Sequence, residues 1–196
     1  MSKHEIDTHE NIMTAAIQLI EEHGDAARIT MRDIAAKANV GVGLINYHFQ
    51  TKDNLISQCV QRMIGLVIDK FEPLYKSLEM KPLDKLKYLV KLNSGFLVTN
   101  IGISRISISN DILSGNSNDN STQTAKAYFP VVKEVCGDKK TESEIYVMLH
   151  ILISSLQVAF LRSEVLKETN GIDFFNVEQR ELFIDRVIDS IFCGIC

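Results

Sequence analysis

The residues of this 196-residue chain best suited to chemistry lie between Thr30 and Lys52. Thr30, Met31 and Arg32 open a short helix. The free amides and dipole of a helix amino terminus, with an arginine beside them, attract phosphate. Further on, Val42 and Leu44 offer apolar contact of the kind that meets a thymine methyl, Gly43 permits close backbone approach, and Asn46 can pair with an adenine edge. Tyr47 and His48 can donate to phosphate oxygens, and Lys52 adds a point charge. This is the chemistry of binding rather than of bond making. The chain has no phosphate-cradling glycine loop, no HExxH, no nucleophile elbow and no complete zinc set, so neither catalysis nor a cofactor is expected.

A second set of polar residues, among them Asn93, Ser107, Asn110, His150, Ser154 and Gln157, stands in otherwise apolar helical segments, with Phe96 as an aromatic neighbour. Scattered polar groups among apolar walls are what a small-molecule pocket requires, although each alone reads equally as an ordinary surface group. Cys193 and Cys196 are three apart, but without nearby His or acidic partners they make an incomplete metal site. With Cys59 and Cys136 they read as reduced thiols.

The net charge of -4 weighs at first against a nucleic-acid partner. Distribution changes that reading. Between Arg28 and Asp53 the bases Arg28, Arg32, Lys37 and Lys52 face only Asp33 and Asp53. Non-specific attraction to DNA should still be weak. The opening residues are polar, and no run of about 18 uncharged apolar residues occurs, so a soluble, cytoplasmic chain without a membrane partner is expected.

The elements that must position these residues are helical. Periodicity near 3.6 recurs almost everywhere and no segment alternates like a strand, which gives an all-α fold. A first helix is expected from Asp7, with Glu10 as its capping partner, to Gly24; a second from Thr30 to Ala38; a turn at Asn39-Val40-Gly41; and a third ending near Phe49. Thr51 caps a fourth, which Pro73 should end or kink. Further helices are expected over 82–99, 104–113 and 122–136, with the run 115–122 a loop by composition. Two long helices, 141–167 and 177–195, are apolar around more of their circumference than one core face needs, and Ile188 is placed on the surplus face.

Two short helices joined by a tight turn, with Ala35 at their crossing and Asn39 in the turn, form a helix-turn-helix. The longer string from Ile29 to Leu55, ITMRDIAAKANVGVGLINYHFQTKDNL, resembles the signature of the TetR family at Thr30, Ile34, Ala35, Val40, Gly43, Ile45, Tyr47, Phe49, Lys52 and Leu55. It departs at Asn39, Gly41, Leu44, Asn46 and Thr51. The resemblance implies a three-helix DNA-binding domain over 1–60 and a helical ligand-binding and dimerisation domain over 61–196. It further implies a homodimer on a palindromic operator in double-stranded DNA. A small, largely apolar effector would sit among Asn93, Phe96, Ser107, Asn110, Ser154 and Gln157 and release a repressor from its operator. Two other readings keep the DNA binding: a second domain that recruits a protein partner, or one that senses thiol or metal state.

Overall fold

The computed structural model describes residues 3–24, 26–115 and 117–192, and among these no strand occurs. The chain divides into two compact units, residues 1–66 with 100–110, and residues 67–99 with 111–196.

The first unit is built from α1 (Lys3–His23), α2 (Met31–Ala38), α3 (Val42–Phe49), the beginning of α4 (Lys52–Ser77) and most of α6 (Ile101–Ser114). The apolar stripe of α1, Ile12, Ala16, Leu19 and Ile20, is buried, together with Ile34 and Ala35 of α2 and Ile45 and Phe49 of α3. Leu55, Cys59 and Val60 close this core from α4. The first helix does not start at Asp7: no breaker interrupts residues 3–6, and the helix begins at Lys3. Gly102 lies against α1, where an alanine Cβ would stand 2.6 Å from the carbonyl oxygen of Ile20.

In the second unit, α5 (Pro82–Thr99), α7 (Asn120–Cys136), α8 (Glu142–Leu161) and α10 (Val177–Phe192) surround one core, with the short α9 (Ser163–Asn170) between the last two in sequence. Leu86, Leu89 and Val90 meet Val131 and Val132, Leu149 and Leu152, and Ile184 and Ile188 there. Ile188 is fully buried in this core, which overturns its expected place on a free face. The surplus apolar surface lies on α8, where Val147, Ile151 and Val158 are exposed while Ile145, Met148, Leu149 and Leu152 point inward. That double-sided apolarity is also why α8, alone among the described helices, is long and apolar enough by length and composition to cross a membrane.

Other boundaries differ from expectation as well, α6 beginning at Ile101 rather than Ser104. The fourth helix continues through Pro73 to Ser77, because Phe71, Leu74 and Tyr75 pack on the core and the Phe71 ring meets that of Tyr128 edge-on at 4.8 Å. Packing of that kind offsets one missing backbone hydrogen bond. The polar run 115–122 already turns helical at Asn120, since Asp119 caps α7 by accepting from the amide of Thr122 at 2.8 Å. The helix from Thr141 breaks at Arg162, where Phe160 turns in beside Phe174 and Phe175 and the chain restarts at the buried Ser163.

The amino end of α8 carries a full capping box. The Thr141 hydroxyl accepts from the amide of Glu144 at 3.3 Å, and the Glu144 carboxylate accepts from the Thr141 amide at 2.8 Å. The Thr141 amide, with Lys140 and the Thr141 hydroxyl, pulls the Glu144 carboxyl down from 4.5 to about 2. A depressed carboxylate stabilises the folded state above its unfolded value and loses that contribution as pH falls through the folded one. Stability lent by Glu144 is therefore complete above about pH 4.5 and fades towards pH 2. Urea midpoints of wild type and Glu144→Gln should differ at pH 7 and converge near pH 2. A constant difference across that range would contradict the assignment.

Candidate nucleic-acid interface

The helix-turn-helix is fixed by local bonds that leave one helical face free. At its start, the Thr30 hydroxyl accepts from the amide of Asp33 at 3.2 Å, and Asp33 accepts in return from the Thr30 amide and hydroxyl at 2.8 and 2.7 Å. The Thr30 hydroxyl, followed by its amide, holds the Asp33 carboxyl below its ordinary value. The turn depends on Asn39, which sits in the left-handed region at φ 53°, ψ 47°, a conformation asparagine tolerates better than most residues. Its neighbours are tied back: the Val40 amide donates to Ala35 at 3.0 Å, and Asn11 of α1 donates to the Ala38 carbonyl at 2.8 Å.

Gly41 caps α3 with no side-chain bond, and the Leu44 amide donates back to the Gly41 carbonyl at 2.9 Å. Ile45 and Phe49 anchor α3, both with no exposed surface. The opposite face presents Gly43, Leu44, Asn46 and Tyr47, and Tyr47 is 71% exposed. Val42 and His48 are half-buried at its margins. The His48 ring contacts Tyr47 at 5.2 Å and His9 of α1 at 5.8 Å, while His9 stacks on Phe49 at 4.4 Å. His48 is thus packed as well as placed near the surface. Arg32 is exposed, Lys52 is half-exposed, and neither is held by an ion pair among the described residues, whereas Lys37 is held by Glu22.

Two features of this surface were not singled out in the sequence. Gln50, at φ 64°, ψ -54°, ends α3, and Asn54 donates from its amide to the Phe49 carbonyl at 2.9 Å. A polar residue between Phe49 and the capping Thr51 was the available signal for the first, but nothing marked the second.

The six expected pocket residues separate. Ser154 and Gln157 line a cleft of about 570 Å³ in the second unit, with Asp111, Asp119, Tyr146 and His150. Within it Gln157 donates to the Ser121 hydroxyl at 2.6 Å, and that hydroxyl donates to Asp111 at 2.6 Å. Burial raises the Asp111 carboxyl above its ordinary value, against the lowering effect of Ser121. Asn93 is engaged by the phenol of the buried Tyr128, and Phe96 is half-buried. Ser107, buried, and Asn110, exposed, both belong to the amino-terminal unit. Asp119 escaped notice because it lies inside a run that read as loop, and Asp111 because it stands just before that run.

Cys59 and Cys136 are buried and outside any disulfide, and burial pushes Cys59 up to about 12, which keeps it a thiol rather than a reactive thiolate. Cys193 and Cys196 lie outside the described residues. Among the described residues no group of three His, Cys, Asp or Glu could hold a metal.

The family described as bacterial regulatory proteins, tetR family, matches residues 12–59, a span that holds α2, the turn and α3. No curated protein matches the chain. Among solved structures, a TetR transcriptional regulator from Rhodococcus sp. is 16% identical at a TM-score of 0.57, with all of both chains covered. A Clostridium perfringens protein assigned as a fatty acid metabolism regulator is 22% identical at 0.61, over 95% of this chain and 98% of that one. A Mesorhizobium loti protein assigned to the TetR family is 15% identical at 0.65, over 97% of each. Residues 12–59 are thus similar to the bacterial regulatory proteins of the tetR family, and the all-helical fold is shared over nearly the whole length with solved structures described as TetR-family regulators.

Proposed function

We propose that the chain is a dimeric repressor that reads a palindromic operator with α3 and leaves it when a small molecule binds the second unit. The observation that carries the reading is the division of α3 into a buried face, Ile45 and Phe49, and an outward face, Gly43, Leu44, Asn46 and Tyr47. A helix so anchored can enter a major groove with Leu44 on a thymine methyl and Asn46 on an adenine edge. Thr30, Met31 and Arg32 at the start of α2, with Tyr47, His48 and Lys52, would hold the phosphates on either side. Val42 and Gly43 allow the backbone to come close.

Dimerisation through the exposed face of α8 supplies the two-fold axis that a palindrome needs. The effector would occupy the cleft at Ser154 and Gln157, whose apolar walls include Ile153 and Val158. Helix α4 begins beside the reading helix at Lys52 and continues without interruption to Ser77 in the second unit, so it is the covalent rod through which binding in one unit reaches the other. The coupling must be mutual: a ligand that lowers operator affinity by a given factor is itself bound more weakly by the same factor in the operator complex.

Replacing single residues separates the two kinds of DNA contact. Lys52→Ala should weaken binding to all sequences and lower the salt-dependence slope by about one unit. Asn46→Ala should instead change which base is preferred, at a cost of about 1 to 3 kcal/mol on the preferred site. Fluorescence anisotropy on operator and single-base variants at several salt concentrations reads both. An Asn46→Ala protein with unaltered base preference would remove the reading role from that residue.

A further inference from the structure

The second unit has another cleft, of about 710 Å³, with Tyr88, Lys91 and Leu92 of α5 on one side and Arg180, Glu181 and Asp185 of α10 on the other. It shares no lining residue with the cleft at Ser154 and Gln157. Arg180 is only 5% exposed. Its Nη1 donates to the carbonyls of Phe174 and Phe175 at 3.1 and 3.4 Å, while its buried Nε has no partner. Asp185 accepts from Lys91 through Oδ2 at 2.8 Å, and its buried Oδ1 also has no partner. One buried nitrogen of Arg180 and one buried oxygen of Asp185, each on a side chain otherwise bonded, thus lack a partner among the described residues, and native structures keep few such atoms without a reason.

The remaining charges of the cleft are largely settled. Lys87 is held by Asp189, and Lys91 by Asp185 and Glu181. What stays unmatched is one edge of a guanidinium and one edge of a carboxylate. Burial also lowers the Arg180 pKa, against the raising effect of Glu181. Beside these groups Met80, Tyr88 and Leu92 line the same cleft while 42%, 43% and 51% exposed. A simple anion would meet the carboxylates of Asp84, Glu181 and Asp185, and a simple cation would meet Arg180. A molecule carrying both signs and an apolar group satisfies every part.

We propose that this cleft binds a small zwitterion with an apolar side chain, an α-amino acid of the leucine, methionine or phenylalanine kind. Its carboxylate takes the free edge of Arg180, its ammonium takes Asp185, and its side chain covers Tyr88, Leu92 and Met80. Seating it requires Arg180 and Asp185 to turn a polar edge into the cleft they already line. Because Arg180 also ties down the Phe174–Phe175 turn that leads into α10, the ligand would act on the connection between α9 and α10.

Calorimetric titration of the full chain with L-leucine, L-methionine and L-phenylalanine tests this, each compared with its N-acetyl derivative and its methyl ester. At least one free amino acid should bind, and removing either charge should weaken it by about tenfold or more, since a buried charged group then stays unpaired. Leu92→Asp, at a half-exposed position that leaves the core intact, should weaken the free amino acid by a similar factor. Absence of binding by all three at millimolar concentration overturns the proposal, as does equal binding of the acid and its ester, or unchanged binding in L92D. Operator affinity measured on the same L92D protein is independent of these outcomes and tests only the DNA reading.

Discussion

Replacing Ile151 by Asp is expected to turn the proposed dimer into a folded monomer and to lower operator affinity by roughly 10²- to 10⁴-fold, the loss that follows when two linked binding events become separate ones. Ile151 is 47% exposed on α8, between Val147 at 58% and Val158 at 48%. Three large apolar side chains at helical spacing form one exposed stripe, suited to bury against its own two-fold copy. A charge there costs little to the monomer, because its face is already in water, but places two carboxylates at the seam of a dimer. Sedimentation at micromolar concentration, with circular dichroism as a check on folding, reads the result. A dimeric I151D protein with wild-type operator affinity would move the interface elsewhere.

The second large effect separates the two faces of the reading helix. Phe49→Ala removes a ring with no exposed surface, stacked on His9, and should cost about 3 to 5 kcal/mol through lost burial and the cavity left behind. That is enough to unfold the amino-terminal unit in a large share of molecules and so abolish DNA binding indirectly. Tyr47→Ala, two residues earlier and 71% exposed, should leave stability within about 0.5 kcal/mol of wild type while weakening DNA binding directly. Urea denaturation beside DNA titration of both proteins distinguishes them. Equal destabilisation by the two substitutions would mean that Tyr47 is a packing residue.

How far the sequence carried the reading depended on how local the cause was. The capping box at Thr30, the left-handed Asn39 and the anchoring Ile45 follow from residues within one or two turns of each other, and all were legible, whereas the burial of Phe49 was not singled out. The continuation of α4 through Pro73 was not, because it rests on the packing of Phe71 on Tyr128, 57 positions further along the chain. Ile188 failed for the same reason. Periodicity showed that α8 and α10 had apolar residues to spare, but only the packed core decided that Ile184 and Ile188 of α10 were buried while Val147, Ile151 and Val158 of α8 stayed exposed. The pocket residues were least legible, since a polar side chain in an apolar helix has many uses: Asn93 serves the Tyr128 phenol, while Gln157 joins Ser121 and Asp111.

The most direct test of the central claim is selection of duplexes from a random-sequence pool by the full-length protein, followed by methylation interference on the enriched sites. The account predicts an inverted repeat whose half-sites lie about one helical turn or more apart. Interference should fall in the major groove of each half-site, and Asn46→Ala should change the enriched bases. Enrichment of no palindrome, or of one whose bases are indifferent to changes at both Leu44 and Asn46, would contradict it.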